Sequence, residues 1–310
     1  MATSPNFTRD LLTGMEWTPA QVCDLYRLAA DVKAHPDRYR NALAGRYLAM
    51  IFEKPSLRTR VTFDVGIQSL GGGAMFLDHS GSRLGARESI KDVAKNLERW
   101  VHAIVARTFE QSAIEELAAH AAIPVINALS DRYHPCQALA DFFTLEEHFG
   151  DLKGLKLAYV GDGNNVSHSL LLAGAQVGAH VRVATPESYE PDAAIVAEAR
   201  RVAGGTGAKI EILRSAEEAV SGVQAVYTDV WASMGQEQEA AAREKIFAPY
   251  QVNEALMAHA APDAVFLHCL PAHRGLEVTD AVIDSPRSIV YDEAENRLHV
   301  QKAILLILLG

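Results

Sequence analysis

The chain has 310 residues, 49% of them hydrophobic and 22% charged, which is the make-up of a globular protein with room for two domains of about 150 residues. A formal net charge of −10, a pI near 5.6 and the lack of a Lys/Arg stripe exclude a nucleic-acid backbone as partner. Cys23, Cys136 and Cys269 form no disulfide pattern and suit a reducing compartment. MATSPNFTRDLL has no basic segment followed by an apolar one, and the apolar tail KAILLILLG is too short to span a bilayer. The expectation is a cytoplasmic protein with no membrane partner, its tail a buried terminal helix.

Apolar runs of strand length alternate with helical patterns from end to end, which predicts α/β layers. YLAMIF is the first strand, and FEKPSLRTR follows it directly. That run reads as a strand handing over to a helix from about Ser56 to Leu70, stopped by Gly71 to Gly73. Hydroxyls, open backbone N–H groups and guanidinium forks meet at its start, so it is a candidate anion site. The plainer reading is a Ser56 cap with solvated arginines. AMFL is a short strand, DHSGSRLGARES a polar loop, ESIKDVAKNLERW a helix, HAIVAR a strand, SAIEELAAHA a helix and IPVINA a strand. A long helix then enters through Pro135.

GDLKG, Gly150 to Gly154, reads as a hinge before a second α/β repeat. LKLAYVGDG runs into a glycine turn, NNVSHSLLLAGAQVG is a helix, and AHVRVATP, KIEIL, AVYTDV, AVFLHCLP and RSIVYD read as strands. A last helix starts near Glu293. The expected fold is α/β, two doubly wound parallel-sheet domains with a ligand cleft between them. The C-terminal helix packs back on the first domain. The expected boundaries are 1–149, 150–292 and 293–310.

In parallel sheets ligands sit beyond the C-terminal ends of strands. Arg107, the His134–Gln137 group, Asn164 and Asn165, Asp229 with Ser233 and Met234, and the His268–Leu270 group all fall at such places. Each has a plainer reading. Arg107 could pair with a surface carboxylate, His134 and Gln137 could cap a helix, Asn165 could satisfy its own turn, Asp229 could cap a helix, and Met234 and Cys269 could fill the core. GDGNN lacks GxGxxG spacing, and no acid closes HVRVATP, which disfavours a nicotinamide enzyme. His79, His102, His120 and His268 lack tight ligand spacing, so neither metal nor cofactor is expected.

Six motifs occur together: SLRTR (Ser56–Arg60), HPCQ (His134–Gln137), DGNN (Asp162–Asn165), DVWASMG (Asp229–Gly235), HCLP (His268–Pro271) and AENR (Ala294–Arg297). Through them the chain, over nearly its whole length, resembles the ornithine carbamoyltransferases of the aspartate/ornithine carbamoyltransferase family. S-x-R-T-R marks the wider family, and DxxxSMG with HCLP points to ornithine rather than aspartate. The resemblance implies a first domain that binds carbamoyl phosphate and a second that binds L-ornithine. Ser56, Arg58, Thr59 and the Leu57 amide match phosphate-binding positions. Arg107 matches the arginine that reaches phosphate and carbamoyl oxygen, and His134 and Gln137 the groups around the carbamoyl carbonyl and amide. Cys269, the Leu270 carbonyl and Arg297 match positions that complete that site, and Asn165, Asp229, Ser233 and Met234 match the ornithine set. The catalytic expectation rests on Arg107, His134, Asp229 and Cys269.

One loop departs from the family pattern STQ-x-x-LG and reads SGSRLG, with Arg83 in the place of the polar group that serves a neighbouring subunit's phosphate site. The resemblance further implies a homotrimer with shared active sites, with larger assemblies open, and domain closure that excludes water. Transfer to another amine, such as putrescine or an acylated ornithine, stays open, as does a phosphate-ligand sensor without turnover. The direction of flux is not readable from the motifs, although HCLPAHRG is compatible with arginine biosynthesis. A covalent Cys269 intermediate would need a thiolate and a neighbouring base. His268 would point to the opposite face if the strand reaches that far.

Overall fold

The computed structural model describes residues 7–232 and 239–310. The chain divides into two units, one of Met1–Ala140 with Glu295–Gly310 and one of Asp141–Ala294. No helix among the described residues is long and apolar enough to cross a membrane.

Unit 1 opens with α1 (Pro19–Ala34), whose start is written in the sequence TPAQ. Thr18 accepts from the Gln21 amide, the Gln21 side chain answers to the Thr18 amide, and Pro19 needs no donor at the first turn. Its sheet holds β1 (Tyr47–Phe52), β2 (Gly73–Asp78), β3 (Ala103–Arg107) and β4 (Val125–Leu129), all parallel, in the order β2-β1-β3-β4. Between them run α2 (Leu57–Ser69), α3 (Ile90–Leu97) and α4 (Gln111–His120). β1 and β3 are buried on both faces, which explains their unbroken apolar runs. Leu11 extends the β4 edge by a parallel bridge to Ile126, a pairing the sequence pattern does not announce. Ala49, Ile51, Ile104, Ile114 and Leu117 form part of the core under α3 and α4. Each leucine or isoleucine among them contributes roughly 1.5–3 kcal/mol when fully buried.

After α5 (Pro135–Phe149), unit 2 builds a second parallel sheet from β5 (Lys156–Val160), β6 (His180–Ala184), β7 (Ile210–Leu213), β8 (Ala225–Tyr227) and β9 (Val265–Leu267). Its order is β7-β6-β5-β8-β9. The helices are α6 (Asn165–Val177), α7 (Ala193–Thr206), α8 (Ala216–Val220), α9 (Ala240–Phe247), α10 (Glu254–Met257) and α11 (Asp280–Ile283), and the chain closes with α12 (Val290–Leu309). The two unit boundaries fall inside α5 and α12, and Glu295–Gly310 belongs to unit 1. The doubly wound parallel architecture therefore holds in both units.

The RSIVYD strand does not form. Only Ser288 bridges to Phe266, and the helix begins at Val290, a turn before Glu293. The apolar pair Ile289 and Val290 is buried at this handover. Short apolar runs do not distinguish a strand from the first turn of a buried helix.

The strand orders fix where ligands can sit. In each sheet the order reverses beside the first strand of the unit, between β1 and β3 and between β5 and β8. The crevice beyond the carboxyl ends at such a reversal is the ligand position of open α/β sheets.

Candidate active site

In unit 1, Phe52 pairs with Arg107 across β1 and β3, so the turn after β1 and the Arg107 side chain leave the sheet at one level. Ser56 caps α2, its Oγ accepting the Thr59 amide at 3.3 Å. The Leu57 side chain is 75% exposed, leaving only its backbone for a ligand at the helix start. Arg58 is half-buried and Thr59 buried. Arg60, which the motif reading counted among the guanidinium forks, instead lies 3.8 Å over the Phe76 ring. Beside this start is a cavity of about 160 Å³ lined by Phe52, Lys54, Ser56, Arg60, Phe76 and Ser80.

Arg297 is the centre of the buried polar work here. It is 2% exposed and donates to Thr59 Oγ1 at 3.1 Å and to Gln137 Oε1. It thereby ties the start of α2 to the first turn of α5. His134, just before that helix, is buried, and its carbonyl accepts the Gln137 amide at 3.1 Å. Burial first, then Arg297, Arg107 and Arg58, hold the His134 imidazole well below its ordinary value. It is therefore neutral near pH 7 and can donate one N–H. Burial and Arg107 also lower Lys54. Cys136 of the same motif takes no part, because burial raises its thiol to about 12 and its S–H meets the Asn127 carbonyl.

Glu53 was not visible to motif reasoning. Its carboxylate accepts the Leu84 and Phe109 amides, each at 2.6 Å, and its own amide donates to the Arg107 carbonyl at 2.9 Å. It stitches the loop carrying Arg83 and the segment after Arg107 to the end of β1. Arg83 itself is exposed, bonded to Glu110 Oε1 at 2.5 Å and 4.7 Å over Phe109.

In unit 2, Asn165 is the first residue of α6 and Asn164 is its cap. Asn164 Oδ1 accepts the Val166 and Ser167 amides at 2.9 and 3.2 Å, and its Nδ2 donates to Asp229 Oδ2 at 2.8 Å. The cap therefore also aims Asp229, a role that the N-N pair in the sequence does not reveal. Gly163 must be glycine, since a Cβ there would lie 2.3 Å from the Pro191 nitrogen. The other Asp229 oxygen accepts the Cys269 thiol at 3.1 Å. Burial, then the Asp229 charge, raise the Cys269 thiol well above its ordinary value. A thiol held protonated in this way is a poor nucleophile.

The segment after Asp229 is held by Arg243, which donates to the Trp231 carbonyl at 2.7 Å and to Asp162 at 2.9 Å. Burial raises Asp162 to about 6 against the pull of Arg243. Ser233 and Met234 lie outside the described residues.

Asp229, His268 and Cys269 each offer a ligand atom within 4.8 Å of the others. The imidazole is nevertheless committed: Nδ1 accepts the Leu270 amide at 2.8 Å and Nε2 meets Glu277 Oε1 at 3.2 Å. β9 ends at Leu267, and His268 and Cys269 then turn to different partners, Glu277 and Asp229. His268 is thus not a base for Cys269. The Leu270–Pro271 bond is cis, and Leu270 has φ 57°.

A family model described as aspartate/ornithine carbamoyltransferase, carbamoyl-P binding domain, matches residues 9–147. A second, described as aspartate/ornithine carbamoyltransferase, Asp/Orn binding domain, matches residues 153–308. The ornithine carbamoyltransferase of Pyrococcus abyssi is 52% identical over 304 residues, 97% of this chain and 96% of that protein. That of Shewanella oneidensis is 52% identical, covering 97% of this chain and 99% of its own. The solved ornithine carbamoyltransferase of Pyrococcus furiosus superposes with a TM-score of 0.94 at 51% identity, covering 97% of each chain. The Gloeobacter violaceus enzyme gives 0.90 at 48%, covering 99% of this chain and 100% of that one. With models matched in both halves and relatives above half identity along nearly all its length, the chain belongs to the aspartate/ornithine carbamoyltransferase family.

Proposed function

We propose that this protein transfers the carbamoyl group of carbamoyl phosphate to the δ-amine of L-ornithine, giving L-citrulline and phosphate. The observation that carries this reading is the chemistry at the two strand-order reversals. One holds a cationic cradle with a neutral histidine, and the other a carboxylate bonded to a thiol and to a helix-cap asparagine. In unit 1, Ser56, the Leu57 amide, Arg58 and Thr59 take the phosphate, with Arg297 fixing Thr59 and Gln137. Arg107 and the neutral His134 donate to the carbamoyl oxygen as negative charge grows on it. In unit 2, Asp229 and Asn165, with Ser233 and Met234, take the amino acid, while Cys269 and the Leu270 carbonyl complete the carbamoyl site.

An alkylammonium has a pKa of about 10.4, so binding must deliver a neutral amine. A carboxylate beside an ammonium favours the charged form, so Asp229 positions the amine rather than deprotonating it. The amine nitrogen bonds to the carbamoyl carbon, the carbon–oxygen bond to phosphate breaks, and a phosphate oxygen takes the amine proton. Cys269 stays a thiol throughout.

The same reading takes in a homotrimer. Leu57, Val61 and Val65 repeat every fourth residue along α2 and are exposed, as is Met75 on the edge strand β2, an apolar face suited to a second copy. Arg83 would leave Glu110 and serve a neighbouring phosphate site at little cost, since an exposed ion pair is worth about 0–1 kcal/mol. The separate cysteines suit the cytoplasm. A 51% identical relative from Pyrococcus furiosus is called an anabolic ornithine carbamoyltransferase, which supports a place in arginine biosynthesis. The test is citrulline formation from carbamoyl phosphate across ornithine, acylated ornithine and putrescine, with R107A as control. Ornithine should be the preferred acceptor. Preference for either other amine, or phosphate binding without turnover, would overturn the reading.

A further inference from the structure

The turn that follows β9 is held from behind by a relay the proposed chemistry does not use. Glu277 is fully buried, and one of its oxygens, Oε1, accepts both the His273 amide at 2.5 Å and the His268 ring at 3.2 Å. Because His268 Nδ1 receives the Leu270 amide, the ring proton sits on Nε2 and points to Glu277. Glu293 accepts the His268 amide at 3.0 Å, so side chain and backbone of this one residue are both anchored. The next residue but one, Leu270, has φ 57°, a conformation that an L side chain adopts only when its surroundings impose it. Between the two anchors lies Cys269, its thiol on Asp229. Packing alone does not call for Glu277. Its Oε2 accepts no hydrogen bond among the described residues and stands 4.0 Å from His273 Nδ1, and burying such a group is unfavourable.

We propose that Glu277 is a positioning residue, which fixes the His268 ring, thereby holds Leu270 in its left-handed conformation, and so sets the Cys269 thiol and the Leu270 carbonyl for carbamoyl transfer. The proposal rests on the function proposed above. Its logic is that of the outer hydrogen bonds that orient a ligating histidine.

Both bonds to Glu277 end on one oxygen, so an amide can replace the carboxylate. E277Q should keep kcat within about threefold of wild type, while E277A should lose roughly 30-fold in kcat with the carbamoyl phosphate KM changed by less than about threefold. A second pair separates the two ring nitrogens. H268N places an acceptor where Nδ1 stood, and H268Q keeps only a donor toward Glu277. H268N should exceed H268Q in kcat by about tenfold. Independently of turnover, Cys269 alkylation by iodoacetamide in a C23S background should quicken about fivefold in E277A and not in E277Q, because a released thiol leaves the buried site and the Asp229 charge that together keep it protonated. Equal kcat in E277A and E277Q, equal kcat in H268N and H268Q, or one alkylation rate across E277A, E277Q and wild type would each overturn the proposal. If E277A does not fold, the His268 pair decides. A wild-type protein that makes no citrulline defeats the proposed function alone, and the alkylation rates still decide whether the relay holds the turn.

Discussion

The two proposed half-sites share a topology and oppose each other in electrostatics. Both lie at the carboxyl ends of the strands where the order reverses, β1/β3 in unit 1 and β5/β8 in unit 2. Both use a helix cap, Ser56 in one and Asn164 in the other. Around the first, guanidinium groups and burial push His134 down. Around the second, burial and carboxylates push Cys269, Tyr159 and Tyr227 well up. The doubly wound sheet thus determines where chemistry happens, and the side chains at the strand ends determine its sign.

The largest expected effect comes from removing the cationic half. R107A should lower kcat/KM for citrulline formation by roughly 100- to 1,000-fold, the loss seen when one donor to a developing oxyanion is removed. A loss under about tenfold in steady-state assays would take Arg107 out of that role. Next is R297M, which removes the two buried hydrogen bonds from Arg297 to Thr59 Oγ1 and Gln137 Oε1. It should lower stability by about 3 kcal/mol in urea unfolding, at 1.5 kcal/mol or more for each bond to a charged donor. An unchanged unfolding midpoint would show that the bridge between α2 and α5 carries nothing.

N164A reads the opposite half. It uncaps α6 and releases one oxygen of Asp229, so a stability loss of about 1–2 kcal/mol should accompany a kcat lowered roughly tenfold. The carbamoyl phosphate KM should stay put, and a matching rise in it would blur the division between the two half-sites. The smallest effect is the pH dependence of Asp162, raised from 3.8 to about 6 by burial. As pH rises from 4 to 6 the unfolded chain gives up this proton first. The native state then binds more protons, and the carboxyl costs stability over that window. Between pH 5 and 7 wild type should lose about 1 kcal/mol relative to D162N. Parallel stability–pH profiles for the two proteins would contradict the shift.

Much of this was legible in the sequence because it is local. The run after YLAMIF, the Pro135 entry and the GDGNN turn each carry their structure within a few residues, and the strand ends placed Arg107, Asp229 and Cys269 correctly in the fold. What was not legible depends on distant partners. Glu53 acts on Leu84 and Phe109, Asn164 on Asp229, and Arg297 on Thr59 and Gln137, pairs 31 to 238 positions apart. RSIVYD failed for the converse reason, since its apolar pair suits a buried helix start as well as a strand. Arg60 closes the SLRTR motif, but the Phe76 face claims it.

The central claim is direct transfer from phosphate to the ornithine amine, past a cysteine that stays protonated. It is tested by mixing the protein with ¹³C-carbamoyl phosphate and L-ornithine, quenching within the first turnover, and weighing both the products and the Cys269 peptide. The account predicts label in citrulline, dependent on ornithine, with the peptide at its unmodified mass. Label on Cys269 before citrulline appears, or phosphate released with no citrulline, would contradict it.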